Sequence, residues 1–277
     1  MYIDAHTHVQ FAAYDEDREA VLSRAREAGV VMVNVGTQKD TSRAAVDLAR
    51  EHEGLCAAAG LHPIHTAKSF HDVKELGAEP GLKEFTSRGE MFDYDFYKEL
   101  ASDDKVVAIG ECGLDYYRLE EGTKKTQAQA FAQQIKLAQE IQKPLMIHCR
   151  SAFPDLITIL TEYKALLNDP PGIIHFFSGT PDEAGRLLDL GFYFTFGGVI
   201  TFARDYDSAI GIIPVDKILS ETDAPYVTPM PYRGKRNEPA YVVHVVKKLA
   251  ELKGLREEEM KEQIVLNARA VFGSLFR

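Results

Sequence analysis

Short, nearly continuous apolar runs recur along the chain and alternate with segments of helix-forming composition. Such runs, rich in Val, Ile and Ala, are typical of strands that are buried on both faces of a parallel sheet. Eight of them can be recognised, at residues 2–9, 30–36, 55–62, 106–111, 144–150, 172–177, 192–200 and 217–222. Residues 15–28 illustrate the intervening segments, because they carry helix formers and stop at Gly29, where a helix C-cap is expected. The alternation predicts β and α units that build a parallel sheet covered by helices.

The number of strands and the length of the chain favour a closed (β/α)8 TIM-like barrel over an open sheet. The chain has 277 residues, and a barrel of eight units takes about 250. We expect one domain over residues 1–277, since no repeat, low-complexity tract or interdomain linker is visible. Residues 65–104, after the third strand, are predicted to form an elaborated loop with one or two helices, and two C-terminal helices are expected at 239–253 and 257–272.

Composition narrows the cellular context. Hydrophobic residues make up 45% and charged residues 27% of the chain, as in ordinary soluble globular proteins. No apolar run approaches the roughly 18 to 20 residues needed to cross a bilayer, and no secretory pattern is visible at the N-terminus. The three cysteines are odd in number and far apart, which favours a reducing compartment over a disulfide framework. We therefore expect a cytoplasmic enzyme that does not bind membranes, and we take a monomer as the working expectation.

The charge balance limits how nucleic acid could bind. The formal net charge is -10, whereas proteins that hold nucleic acid over a broad surface are usually basic. Extended duplex binding is disfavoured for this reason. A small cationic patch on an acidic protein could still hold one phosphate or the end of a strand.

Ionisable residues occupy the C-terminal ends of the predicted strands, where apolar residues would be expected if these positions were only structural. Active sites lie at this end of the barrel in essentially every characterised enzyme of the architecture. A single buried histidine is more often a core residue than a ligand, but so many at one end predict a functional site. The residues are His6, His8, His62, Glu111, His148, His175 and Asp223.

Imidazole nitrogens together with carboxylate oxygens suit Zn2+, Mn2+ or a similar divalent ion, and Mg2+ is also considered. Six protein ligands are too many for one catalytic ion that keeps a position open for water, but they suffice for two ions that share a carboxylate. Two ions about 3.5 to 4 Å apart can lower the pKa of a bridging water and clamp both oxygens of a displacement. We assign His6, His8 and Asp223 to the first ion, His148 and His175 to the second, and the bridge to Glu111. Asp223 is also expected to take a proton from the attacking water.

Seven segments, in the same order along the chain, resemble the TatD-like metal-dependent deoxyribonucleases of the amidohydrolase superfamily. They are His-Thr-His at 6–8, Gly-Leu-His-Pro at 60–63, Gly-Glu-Cys-Gly-Leu-Asp-Tyr-Tyr-Arg at 110–118, His-Cys-Arg at 148–150, His-Phe-Phe-Ser-Gly at 175–179, Glu-Thr-Asp-Ala-Pro-Tyr at 221–226 and Arg-Gly-Lys-Arg-Asn-Glu-Pro at 233–239. The resemblance implies a TIM-like barrel, a two-metal site and hydrolysis of phosphodiesters in DNA. The family's ligand pattern falls on the six residues assigned above. The long segment at 65–104 departs from the pattern and leaves the route of the substrate open.

Several residues near the strand ends are candidates for holding a substrate, because charge accumulates on the phosphorus oxygens in the transition state. Arginine forks match phosphate oxygens two at a time. Arg150 could equally pair with a nearby carboxylate, and a solvated charge cluster is the alternative for residues 233–236. Tyr116, Tyr117 and Tyr226 could stack a base or simply pack at the rim. The candidate substrate contacts are His62, Arg118, Arg150, Ser178, Arg233, Lys235 and Arg236.

Three functions are compatible with these residues. The first is a metal-dependent deoxyribonuclease, an exonuclease that acts on single-stranded DNA or strand ends and needs only a local cationic mouth. The second is a deacylase of the amidohydrolase type, such as a D-aminoacyl-tRNA deacylase, because the same activated water could attack a carbonyl. The third is a metal-stabilised barrel that serves as a binding partner, although a purely structural ion needs no open position.

Overall fold

Each predicted apolar run contains a strand of one parallel sheet in the computed structural model of the protein. The structure describes residues 1–68, 70–71, 84–117 and 122–273. The strands are β1 Tyr2–Thr7, β2 Val30–Val35, β3 Leu55–Ala59, β4 Phe70–His71, β5 Phe85–Thr86, β6 Val106–Asp115, β7 Leu145–Arg150, β8 Gly172–Ile174, β9 Tyr193–Phe196 and β10 Ile218–Ser220. β4 and β5 form a separate antiparallel pair, and the other eight follow one another in chain order.

Contacts between the first and last strands make the sheet a nearly closed barrel. The hydroxyl of Ser220 in β10 donates to the carbonyl of Ile3 in β1 at 2.6 Å. Just beyond β10, the N–H of Asp223 donates to the carbonyl of His6 in β1 at 2.9 Å. The (β/α)8 barrel expected from the strand count is therefore confirmed.

Nine helices are found in the part of the chain that the structure describes: α1 Arg18–Glu27, α2 Lys39–Glu51, α3 Tyr94–Ala101, α4 Thr123–Glu140, α5 Phe153–Glu162, α6 Pro181–Asp189, α7 Asp207–Ile212, α8 Val242–Lys253 and α9 Glu257–Phe272. The predicted stop after α1 is confirmed, because Gly29 has φ of 69°, a left-handed conformation that glycine adopts without strain. Among the described helices, none is long and apolar enough to cross a membrane.

Four predicted strands have an end that is wrong by three or more residues, and one of them, β8, ends at Ile174 instead of residue 177. β6 continues to Asp115 instead of ending at Glu111, and β3 stops at Ala59. β9 ends at Phe196 and is followed by a 3₁₀ turn, Gly198–Thr201, instead of running to residue 200. The backbone turns there because Gly198 packs directly against the carbonyl of Val227, where a side chain would not fit.

The elaborated segment after β3 is confirmed in its described part. It contains a 3₁₀ turn at Pro63–Thr66, the β4–β5 pair and α3. Residues 69 and 72–83, which belong to the same predicted loop, lie outside the described residues. The C-terminal helices expected at 239–253 and 257–272 are also confirmed, as α8 and α9.

Candidate metal centre

Four of the predicted ligands meet at the end of β1. The Nε2 atoms of His6 and His8 are 3.1 Å apart. Glu111 Oε2 lies 3.4 Å from His6 Nε2 and 3.9 Å from His8 Nε2. Asp223 Oδ1 lies 3.4 Å from His8 Nε2 and 3.8 Å from His6 Nε2. Two nitrogens and two oxygens therefore surround one point at the mouth of the barrel.

The other oxygen of Glu111 faces a second group of histidines. Oε1 lies 3.1 Å from His148 Nδ1, 3.3 Å from His62 Nε2 and 3.7 Å from His175 Nε2. Glu111 thus presents one oxygen to each group of potential ligands, whereas Asp223 uses a single oxygen, Oδ1, to face His6 and His8 and lies 4.0 Å from His175 Nε2. The His175 ring also stacks on His6 at a centroid distance of 3.5 Å, which brings the two groups close together.

Hydrogen bonds at the outer ring nitrogens determine where lone pairs point. His8 Nδ1 lies 2.7 Å from the carbonyl oxygen of Val35, which can only accept, so Nδ1 carries the proton and Nε2 a lone pair. His175 Nδ1 similarly lies 2.9 Å from Glu221 Oε2. Such outer partners orient metal-binding imidazoles and increase their basicity.

Glu221 is itself held by further hydrogen bonds. Its oxygens accept hydrogen bonds from the backbone N–H of Phe176 at 2.9 Å and the hydroxyl of Thr195 at 2.5 Å. The carboxylate is fully buried, so its position and that of the His175 ring are fixed together.

His62 has the opposite tautomer. The N–H of Ile64 donates to His62 Nδ1 at 3.2 Å, so Nδ1 has no proton and the neutral ring carries its proton on Nε2. That nitrogen therefore offers Glu111 a donor instead of offering an ion a lone pair. A substrate contact for His62 therefore stays a prediction, and His62 also lies with Glu111 and His148 in a group that could hold a metal.

Asp115 is a site residue that the sequence analysis missed. Its Oδ2 lies 2.9 Å from His148 Nε2, which leaves Nδ1 of that ring to face Glu111. The backbone around Asp115 is fixed by Gln127, whose amide both accepts from Asp115 N–H and donates to its carbonyl, each at 2.9 Å. The signal was available in the chain, because Asp115 shares the parity of Glu111 in a strand that continues four residues further than predicted.

The loop that carries Asp223 is fixed by a buried carboxylate on β1. Asp4 Oδ1 accepts from the N–H of Thr222 at 2.8 Å, and its Oδ2 accepts from the Thr222 hydroxyl at 2.5 Å. Asp223 follows directly with φ of 54°, an uncommon conformation for a residue that is not glycine. The Asp223 side chain is 16% exposed and that of Glu111 is 4% exposed, so Asp223 is the more accessible to water.

Burial and neighbouring charges set the protonation of the centre. Burial alone would raise the pKa of Glu111, but the charges of His62 and His6 hold that pKa well below its ordinary value. Burial and repulsion from His175 lower the pKa of His6 to about 3. Burial opposes charge on His175 as well, yet the neighbouring Glu221 carboxylate raises its pKa to about 10. Hydrogen bonds to Asp115 and Glu111 outweigh burial at His148 and raise its pKa to about 9.

The donor set fits a divalent ion. Ligands about 2.0 to 2.2 Å from a tetrahedral ion are separated from one another by about 3.3 Å, close to the separations among His6, His8, Glu111 and Asp223. The Nε2 atoms of His6 and His8 lie 3.1 Å apart beside two carboxylates, and a cation between them would satisfy all four groups. These residues could therefore hold a metal.

The predicted cationic contacts are placed differently from one another. The Arg150 guanidinium lies 3.7 Å from the centroid of the Tyr117 ring, at the end of β7. Arg236 is turned away, since it donates to the carbonyl of Ala13 at 2.6 Å and to Asp17 at 2.7 Å. The exposed candidates are Ser178, Arg233 and Lys235, and Arg118 lies outside the described residues.

The three tyrosines considered for base stacking differ in their contacts and in their exposure to solvent. Tyr116 donates to Asp155 at 3.0 Å, and the Tyr226 ring lies edge-on to His8 at 6.2 Å. Tyr117 is 48% exposed and covers Arg150. Only the last of these presents a large part of its ring to solvent.

The (β/α)8 barrel, with imidazoles around a shared carboxylate at the C-terminal ends of its strands, is an architecture of metal-dependent hydrolases, and this chain is one of them. The family model described as TatD related DNase matches residues 3–273, and the chain belongs to this family. It is 38% identical over 275 residues to the uncharacterized metal-dependent hydrolase YabD of Bacillus subtilis, with 98% of this chain and 99% of that protein covered. It is 35% identical over 276 residues to a protein of Pantoea ananatis named 3'-5' ssDNA/RNA exonuclease TatD, with 96% of each covered.

The fold comparison agrees with the sequence comparison. The crystal structure of YJJV, a TatD homolog from Escherichia coli, superposes with a TM-score of 0.82 and 27% identity over 99% of this chain and 98% of that one. The family resemblance read from the seven segments is thus confirmed.

Proposed function

We propose that this metal-dependent hydrolase cleaves phosphodiester bonds at the ends of single-stranded DNA, as an exonuclease that uses two divalent ions. The observation that carries the proposal is the position of Glu111, whose two oxygens face different sets of histidines at 3.1 to 3.9 Å. A shared carboxylate of this kind suits a pair of ions that act together on an in-line displacement.

The residues divide into two groups that would each hold one ion, with Glu111 common to both. When bound, the ions would polarise the phosphoryl oxygens and make water a stronger nucleophile. The first group is His6, His8 and Asp223, and the second is His148 and His175.

Asp223 is our candidate for the general base. Its carboxylate is the more exposed of the two acidic groups that face His6 and His8. Burial would raise its pKa, but its interactions with His8, His175 and His6 outweigh burial and hold that pKa below its ordinary value. It is therefore ionised at neutral pH and can take the proton of water as the water oxygen bonds to phosphorus. The bond from phosphorus to the leaving oxygen breaks, and that oxygen must gain a proton, for which His62 Nε2–H is a nearby donor.

Two observations support a nucleic-acid substrate: the positions of three cationic side chains and the name of a related protein. The name of the Pantoea ananatis protein assigns it single-stranded DNA and RNA as substrates and 3'-5' polarity. In this chain, Arg150, Arg233 and Lys235 follow the strands that end at the site, which is where a strand end would present its phosphates.

The test is a cleavage assay with defined ends. Protein freed of metal by a chelator and then given Mg2+, Mn2+ or Zn2+ is incubated with single-stranded oligonucleotides labelled at the 5' or the 3' end. We expect a ladder that shortens by single nucleotides, no cleavage in EDTA, and a loss of rate of at least about a hundredfold in Glu111→Gln. Amino acid released from aminoacyl-tRNA, with every oligonucleotide intact, would overturn the proposal in favour of a deacylase.

A further inference from the structure

Phe202 is an exposed aromatic ring on the catalytic face of the barrel. It is 43% exposed, whereas Phe194 and Phe196 of the preceding strand β9 are buried. Met230, which is 48% exposed, lies on the neighbouring loop, and its N–H donates to the hydroxyl of Thr201 at 2.9 Å. Two large apolar side chains are thus presented to solvent where the loops after β9 and β10 meet.

One face of the ring is covered by a guanidinium group. The Arg233 guanidinium carbon lies 4.2 Å from the centroid of the Phe202 ring, and its Nη1 donates to the carbonyl of Thr228 at 3.2 Å. A guanidinium at this distance is attracted to the ring face and fixes the plane of the ring. The ring is therefore held in one orientation even though nearly half of it is exposed.

Both loops that support Phe202 begin beside the metal centre. The loop with Arg233 starts at Asp223, whose carbonyl accepts from Tyr226 N–H at 2.8 Å to form the first turn. The loop with Phe202 starts at Gly197, and a Cβ at that position would lie 3.1 Å from the ring of Phe176, the residue that follows His175. The ring consequently stands on the same rim as the site.

From this placement we infer that the Phe202 ring, backed by Arg233, stacks one base of a single-stranded nucleic acid that is bound at the metal centre. The inference rests on the proposed function, and it adds a base-binding position to it. Aromatic rings stack every base and give little sequence preference. Arg204 and Lys235, each two residues from a member of the Phe202–Arg233 pair, are exposed cations that suit the phosphates of such a strand.

The experiment measures binding and cleavage separately with Phe202→Ala and Phe202→Trp. Binding of a fluorescent oligothymidylate with phosphorothioate linkages is followed by anisotropy in Mn2+, so that the strand meets a metal-loaded site and is not cleaved during the measurement. Phe202→Ala should weaken binding by roughly 5- to 100-fold, because one stacked base is lost, while Phe202→Trp retains the binding of the native protein. Leu266→Ala is the control, since it removes another exposed apolar side chain, 55% exposed, on α9, and it should change nothing.

An oligonucleotide with abasic residues at its three 3'-terminal positions distinguishes stacking from a change in fold. The native protein should lose affinity for it, and Phe202→Ala should then cause no further loss. Equal losses by Phe202→Ala on intact and abasic strands, or no loss on the intact strand, would overturn the inference. If native protein binds the strand and loses affinity with Phe202→Ala but does not cleave in any metal, the hydrolytic proposal fails and the base position stands. If it does not bind the strand, both fail.

Discussion

At the residue scale, the site depends on which nitrogen of each imidazole is already occupied. The carbonyl of Val35 holds Nδ1 of His8 and the carboxylate of Glu221 holds Nδ1 of His175, so Nε2 of each ring faces inward and offers a lone pair once the ring is neutral. His62 presents a proton instead, because its Nδ1 accepts from Ile64. Chemically identical side chains are thus divided into potential ligands and a donor by their outer partners.

Binding of metal should release protons. In metal-free protein the pKa of His148 is about 9 and that of His175 is about 10, so both are protonated at pH 7.5, whereas a ligand must be neutral. We expect about two protons to leave as the ions bind, and affinity should rise as the pH increases from 7 towards 9. Calorimetric titration in buffers with different heats of ionisation counts these protons.

Two Glu→Gln variants, one near the site and one far from it, test which residues release these protons. Glu221→Gln removes the charge that raises the pKa of His175, so this variant should release fewer protons at pH 7.5 than native protein. Glu262→Gln makes the same change on an exposed position of α9 and should match native protein. A heat of binding that is the same in every buffer would contradict the assignment.

At the scale of the elements, most of the barrel was predictable, because buried parallel strands are apolar throughout and alternate with helices. The failures have local causes. β9 ends early because Gly198 must approach the carbonyl of Val227, and a strand pattern contains no signal for a contact with residues almost thirty positions away. β6 was predicted too short because Glu111 interrupts its apolar run, and Asp115 was missed for the same reason.

The closure between β1 and β10 should depend on Thr222. Thr222→Val keeps the shape of the side chain but leaves the buried Asp4 carboxylate without one of its donors, at a cost of about 1 to 3 kcal/mol in the free energy of unfolding. Chemical denaturation measures this loss. Thr158→Val is the control, because its hydroxyl donates to Pro154 on an exposed turn of α5, and it should stay within about 0.5 kcal/mol of native protein. Equal stability of the two variants would show that the hydrogen bond does not support the closure.

At the scale of the whole molecule, the chain is acidic, with a net charge of -10. Only a few of its cationic side chains are candidates for contact with the substrate. The sequence identified six residues that the barrel brings together, since they lie at or near the C-terminal ends of strands that converge. It did not show which arginines face the mouth, because Arg236 differs from Arg233 only in tertiary contacts, which join Arg236 to Asp17.

Binding of single strands should therefore respond only moderately to salt. With no more than about three phosphates contacted, the slope of log affinity against log salt should be no steeper than about -2. Lys235→Gln should reduce the slope by about 0.7 if it contacts one phosphate, whereas Lys164→Gln, an exposed lysine after α5, should not alter it. A slope of about -5 would indicate the broad cationic surface that the composition argues against.

The loop between Asp223 and Glu238 is anchored at both ends, and this affects how the mouth receives a flexible ligand. Asp4 holds Thr222 at its start, while Arg236 bonds to Asp17, and Arg24 bonds to Glu238 at 2.6 Å, at its finish. A segment tied in this way has little conformational freedom left to lose upon association. Most of the conformational entropy lost in the complex is then lost by the ligand. Short or rigid ligands should therefore bind more tightly than long, flexible ones that make the same contacts.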